Sequence, residues 1–187
     1  MALLSVDDAL ALVLKGLAPL DVEQVSLADA QDRVLAEDLA ATLTQPPFDA
    51  SAMDGYAVRS ADLTALPATL DVVGEAAAGA RFTGTMKPGQ AVRIFTGAPV
   101  PHGADTIVIQ EDTEGSAARV VVKAAASAGK HIRLRGQDFK QGEVLLRRGT
   151  TLGPRSLMLA ASMNHAVLPV RRKPQVAILA TGDEVMP

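Results

Sequence analysis

The sequence contains no cysteine, so disulfides, thiolate metal sites and a thiol nucleophile are excluded. Tryptophan is absent too, with one tyrosine and four phenylalanines, which leaves few platforms on which exposed bases could stack. There is no excess of positive charge: 18 Lys plus Arg stand against 21 Asp plus Glu, a formal net charge of −3. A mildly acidic chain is poorly suited to coating a polyanion. Apolar runs such as Val176 to Ala180 fall far short of the roughly 20 residues that cross a bilayer. Asp7 and Asp8 interrupt the segment where a secretory leader would need an apolar run after a basic one. These absences point to a cytoplasmic protein with neither a nucleic-acid nor a membrane partner.

What is present is an ordinary globular balance, 48% hydrophobic and 21% charged over 187 residues, enough for one domain or two small ones. Ser5 and Asp8 resemble a capping box, and Val6, Ala9, Leu10, Val13, Leu14 and Leu17 follow at helical spacing. An amphipathic helix is expected there, then a strand at Glu23 to Leu27 and a second helix from about Ala30 to Leu39, ended before Pro46 and Pro47. From Phe48 to about Lys123 the pattern changes to short β-type runs at 55–59, 70–74, 91–95, 106–110 and 119–123. Regular spacing of this kind predicts a small β-domain. Small residues at 124–129 form a connector, and further strands are expected at 131–135 and 143–146. Gly153-Pro154 opens a helix to about Ser162 that Asn164 can close, Leu157 and Ala161 lying on one face. The run at Arg171 to Lys173 reads as a solvated linker. The apolar stretch after Gln175, ending in Thr181-Gly-Asp-Glu184, fits the first strand of a parallel sheet buried on both faces.

Three stretches carry candidate chemistry. In Pro46 to Arg59, Asp49, Ser51 and Asp54 offer oxygen ligands on a proline-stiffened loop, as a hard cation such as Mg²⁺ requires; the same residues also serve as ordinary loop caps. In Phe95 to Asp105, the amides around Gly97 and the Thr96 hydroxyl could form an anion nest, although Gly and Pro also punctuate plain strand connections. In Ile132 to Asp138, strand alternation puts Arg133 and Arg135 on one face and Ile132 and Leu134 on the other. Two adjacent guanidiniums call for an anion between them, either a phosphate or carboxylates of this chain. His102, His131 and His165 are too scattered for an H-x-x-x-H zinc pair. Met158 and Met163 read as core or gap-filling side chains.

Taken in order, PPFDASAMDGYAVR, GEAAAG, RIFTGAPVPHGADTIVIQEDT, IRLRGQDFKQGEVLL and VAILATGDE resemble the N-terminal part of the molybdopterin molybdenumtransferases, the MoeA type related to the E domain of gephyrin. The resemblance runs along essentially the whole chain. It implies molybdenum cofactor synthesis, with molybdenum from molybdate inserted into adenylylated molybdopterin, AMP released, and Mg²⁺ as cofactor. It places Asp54, Thr96, Asp138 and Glu184 at catalytic positions and Arg133 near the substrate; the loop and strand readings add Ser51 and Arg135 against substrate and Asp49 and Asp54 at the metal. It also implies an α+β fold. A helix-rich dimerisation domain (1–47 plus 124–174) would carry an inserted β-domain (48–123), and 175–187 would start a truncated molybdopterin-binding α/β domain. On this reading the chain is half of a homodimer and inactive alone. Leu134 stands where the family often has a further Arg, and Asn164 where Gly is common. Two rival readings are a non-catalytic dimerisation or scaffold module, and an unrelated Mg²⁺-dependent phosphohydrolase using Asp49, Asp54 and Asp138.

Overall fold

The computed structural model describes residues 4–179. In chain order the elements are α1 (Val6–Leu14), β1 (Val22–Ser26), β2 (Leu39–Ala40), β3 (Ala50–Ser51), β4 (Gly55–Val58), β5 (Ala68–Ala76), β6 (Gln90–Ile94) and β7 (Thr106–Ile109). There follow β8 (Thr113–Gly115), β9 (Arg119–Val122), β10 (Ile132–Arg133), β11 (Val144–Leu146), α2 (Pro154–Ser162) and β12 (Val167–Arg171). The chain divides into two compact units, Met1–Thr42 with Val144–Pro187, and Leu43–Glu143.

The α+β, helix-rich expectation is corrected by these elements: the fold is mostly β, with two nine-residue α-helices against twelve strands among the described residues. The expected helix at 30–39 does not form. Asp32 adopts φ 61°, which ends any helical turn, and Asp is among the few side chains that tolerate that conformation. The following amides then bond to distant carbonyls, Leu35 N–H to Thr150 O and Ala36 N–H to Pro169 O, both at 2.9 Å. Non-local pairing thus overrides a helical pattern of Val34, Leu35 and Leu39. Arg171 is not linker either, since it closes β12, paired with Val22 of β1. The terminal run carries no strand over 172–179; Val176 and Ile178 are 78% and 94% exposed, with no neighbouring strand among the described residues to satisfy their backbone. Residues 180–187 lie outside the described residues.

In the unit of Met1–Thr42 and Val144–Pro187, β1 pairs antiparallel with β12, and β2 with β11. Leu35, Leu152, Met163, Leu168 and Val170 form its buried centre. Helix α2 begins with Pro154 and turns Ala160, rather than Ala161, inward. Asn164 follows its cap at φ 69°, the left-handed position expected of it. Met163 is fully buried, but Met158 is 70% exposed. Helix α1 has the expected cap: Ser5 Oγ accepts the Asp8 amide at 3.1 Å and donates to Asp8 Oδ2 at 2.6 Å. No residue of α1 is buried.

The unit Leu43–Glu143 is built on a six-stranded sheet in the order β7-β4-β6-β5-β9-β8. Alternation along β4 sends Tyr56 and Val58 to one core, with Leu70, Val108, Val120 and Val122, and Ala57 to the other, with Val92, Ile94 and Ile107. A sheet covered on both faces at its centre gives a stiff frame, and the loops leaving β3, β4 and β6 are anchored to it.

Candidate functional site

All three polar stretches come together in Leu43–Glu143. Strand β3 pairs with β10, setting Ser51 opposite Ile132 and Ala50 opposite Arg133. Ser51 N–H donates to Ala98 O at 2.9 Å, and Gly97 N–H donates to Ser51 O at 2.8 Å. Backbone hydrogen bonds from Ser51 therefore tie the 46–54 loop to the 95–105 loop, while strand pairing ties it to the 131–138 segment. Ser51 itself is 1% exposed, and its hydroxyl donates inward to Met53 O at 2.6 Å.

Asp54 and Thr96 are in direct contact. Thr96 donates both its backbone N–H, at 2.8 Å, and its hydroxyl, at 2.7 Å, to Asp54 Oδ1. The expected anion nest thus already holds an anion, the chain's own carboxylate. That backbone N–H, then the Thr96 hydroxyl, and lastly the charge of Arg93 hold the Asp54 carboxyl below its ordinary value, because each favours the ionised form. Asp54 Oδ2 has no hydrogen-bond partner among the described residues.

Arg133 and Asp138 form an exposed ion pair, Arg133 Nη2 lying 2.6 and 2.7 Å from the two carboxylate oxygens. Arg135 is held separately: its N–H donates to Asp49 Oδ1 at 2.7 Å and its Nε–H to Pro47 O at 3.1 Å. Strand β10 ends at Arg133, so alternation does not continue to Arg135, and Leu134 is 59% exposed. Arg135 also lines a cleft of about 420 Å³, together with Phe48, Asp49, Arg81, Phe82 and His102 among others, and its Nη groups make no hydrogen bond among the described residues. Among the described residues no carboxylate pairs with Arg81 or with those Nη groups. Glu184 lies outside the described residues.

The donors expected for Mg²⁺ do not assemble a site. Asp49 is spent on the Arg135 amide, Asp138 on Arg133, and one Asp54 oxygen on Thr96. No group of three His, Asp or Glu side chains able to hold a metal occurs among the described residues. The histidines stay apart, with His165 Nε2 2.8 Å from Ala40 O and His102 lining the cleft.

Sequence reasoning passed over Arg93 and Gln110. Arg93 lies over both Tyr56 and Phe95, 5.1 and 5.0 Å from the ring centroids, and donates to Gly55 O and Gln110 Oε1 at 3.2 and 2.8 Å. The available signal was the i, i+2 spacing of Arg93 and Phe95 in RIFTG, Arg93 lying in β6 and Phe95 just after its end.

The sequence pattern of the MoeA N-terminal region (domain I and II) matches residues 4–164. The chain belongs to that family. It is 42% identical to the molybdopterin molybdenumtransferase of Synechococcus elongatus over an alignment of 192 residues, covering 99% of this chain and 48% of the relative. It is 42% identical to molybdopterin molybdenumtransferase 2 of Mycobacterium tuberculosis over 165 residues, 86% of this chain and 41% of that one. The crystal structure of the molybdopterin biosynthesis moeA protein from Pyrococcus horikoshii OT3 superposes with a TM-score of 0.85 at 35% identity, covering 90% of this chain and 46% of that chain. The chain spans about half the length of the curated relatives it matches. Family membership sets aside the unrelated phosphohydrolase.

Proposed function

We propose that this chain supplies one wall of a molybdenum-insertion site, at which molybdenum from molybdate enters adenylylated molybdopterin and AMP is released. The observation that carries the reading is the meeting of Asp54–Thr96, Arg133–Asp138 and Arg135–Asp49 through three loops tied by backbone bonds. A phosphate-bearing substrate needs cationic donors that can be recruited cheaply. An exposed pair such as Arg133–Asp138 is worth only about 0–1 kcal/mol, so Arg133 can turn from Asp138 to a phosphoryl oxygen at little cost. The Nη groups of Arg135 need no such release, and beside Arg81 and His102 they favour an anion in the cleft. Asp54, its Oδ1 fixed by Thr96, keeps Oδ2 for a water or a substrate hydroxyl. Mg²⁺ rests on the family reading and on the loop pattern of Asp49 and Asp54; the described carboxylates form no group of three around a cation, and no step is assigned to it.

The protein is taken to act in the cytoplasm as a homodimer. In support of a dimer, α1 exposes Val6, Leu10, Val13 and Leu14 at 53% or more, and burying each is worth about 1.5–3 kcal/mol. The same face favours a second reading, an association module without turnover. The test replaces the N-terminal part of the Synechococcus elongatus relative with this chain and measures molybdenum insertion beside thermal melting and sedimentation. Insertion at a rate near the relative's supports the proposal. A folded dimeric chimera without insertion overturns it in favour of the association module.

A further inference from the structure

We propose that Arg93 is the positioning residue of the Asp54–Thr96 pair, a planar clamp that fixes the two loops carrying it. The inference rests on the reading that this pair serves molybdenum insertion. Arg93 lies on β6 directly opposite Tyr56 of β4 in the antiparallel register. It therefore reaches the strand that begins one residue after Asp54, while its own strand ends two residues before Thr96. Its guanidinium lies over two rings, 5.1 Å from the centroid of Tyr56 and 5.0 Å from that of Phe95. Both rings border the pair in sequence: Phe95 is adjacent to Thr96, and Tyr56 is two residues from Asp54.

Two hydrogen bonds set the angle of the guanidinium plane. Nη1 donates to Gly55 O, the carbonyl next to Asp54, and Nη2 donates to Gln110 Oε1. Gln110 closes the circuit, because its own N–H donates to Asp54 O at 3.1 Å. One side chain thus braces two successive carbonyls, Gly55 O directly and Asp54 O through Gln110, and packs against the residue before Thr96. Asp54 then receives the two Thr96 hydrogen bonds in a loop that is held already. A stacked fork with donors at two fixed angles is a property of arginine; lysine offers the charge without the plane.

The experiment is amide hydrogen exchange on this chain, with Arg93→Met, Arg93→Lys and Gln110→Ala. Met keeps apolar contact with the rings without donors, and Gln110 is exposed, so its truncation keeps the fold if Met does not. The clamp predicts at least tenfold faster exchange at the Thr96 and Gln110 amides in Arg93→Met, and at Thr96 in Gln110→Ala, while β4 and β7 amides keep parental rates. Arg93→Lys should resemble Arg93→Met. Parental protection of Thr96 in both Arg93→Met and Gln110→Ala, or full restoration by lysine, overturns the proposal. These rates are read without turnover, so they stand apart from the functional reading. In an active chimera, Arg93→Lys should lower kcat for insertion at unchanged melting temperature; unchanged kcat beside faster exchange would reduce the clamp to a fold feature and overturn its positioning role.

Discussion

Gly55→Ala is the substitution that most directly probes how the frame holds the site. Gly55 begins β4 between β6 and β7, opposite Ile94 and Ile109. A Cβ built there would sit 2.0 Å from Val108 O, 2.9 Å from Val108 C and 3.0 Å from Ile109 Cα. Contacts of about 3.5–4.0 Å are comfortable for carbon, so the strands must part by more than about 1 Å. The obstructing atoms are backbone, and no rotamer change relieves them. Overpacking costs about 1–3 kcal/mol, occasionally more, and in a chain of this size each kcal/mol lowers the melting temperature by about 2–4 °C. The expected loss is then about 2–12 °C, toward the upper end. Circular dichroism melts of the parent and Gly55→Ala read it. Gly153→Ala is the control, since nothing lies within 4 Å of its Cβ position. A Gly55→Ala melt within about 1 °C of the parent would refute the close-packing argument; strand separation, if it occurs, should also speed exchange at Gln110, whose amide bonds Asp54 O.

Three further outcomes follow from the same structure. Ile107→Ala, at a fully buried position, should cost about 2–5 kcal/mol, whereas Leu12→Ala on the exposed face of α1 should stay within about ±0.5 kcal/mol when both are measured by urea titration on monomer. Asp54 has a lowered carboxyl pKa in the folded chain, so its contribution is complete above the ordinary carboxylate value and is lost as pH falls through the lowered one. The melting gap between the parent and Asp54→Asn should accordingly be open at neutral pH and close in acid below about pH 4. A double-mutant cycle on Arg133→Gln and Asp138→Asn should return a coupling of no more than about 1 kcal/mol in stability; a larger value would mean that Arg133 is not free to move to a phosphate.

The legible parts of the fold were those with local causes. The Ser5 and Asp8 cap, the Pro154 start of α2 and the Asn164 turn each need only neighbours in sequence. The runs that became β4 to β7 and β9 carry enough alternating or continuous apolar residues to declare themselves. Strands β2 and β3 have two residues each, too few for any period, the strand expected at 131–135 shortens to β10, and Pro169 disguised β12 as a non-strand. The helix expected at 30–39 failed because its hydrogen bonds are made to residues more than a hundred positions away. Within the site, Asp49, Asp54, Thr96, Arg133 and Asp138 stood out because loops rich in Asp, Ser and Gly attract attention. That the nest around Thr96 would be filled by Asp54 depends on β-sheet register, which spacing alone does not encode. Arg93 was hidden for the opposite reason: a charged residue on a strand ordinarily marks a solvated face, and only the pairing with Tyr56 reveals its stacked position.

The most direct test of the site is the insertion rate of the chimera with Asp54→Asn, Thr96→Ala and Asp138→Asn introduced singly, measured on adenylylated molybdopterin and molybdate beside the melting temperature of each variant. Exposed positions should change stability by no more than about 0.5–1 kcal/mol, while loss of a contact made in the transition state lowers the rate by about 10²–10³. We expect rates reduced by that factor with melting temperatures within a few degrees of the parent chimera. Full activity in Asp54→Asn, or activity losses that merely follow the melting temperatures, would contradict the account and leave these residues as loop caps.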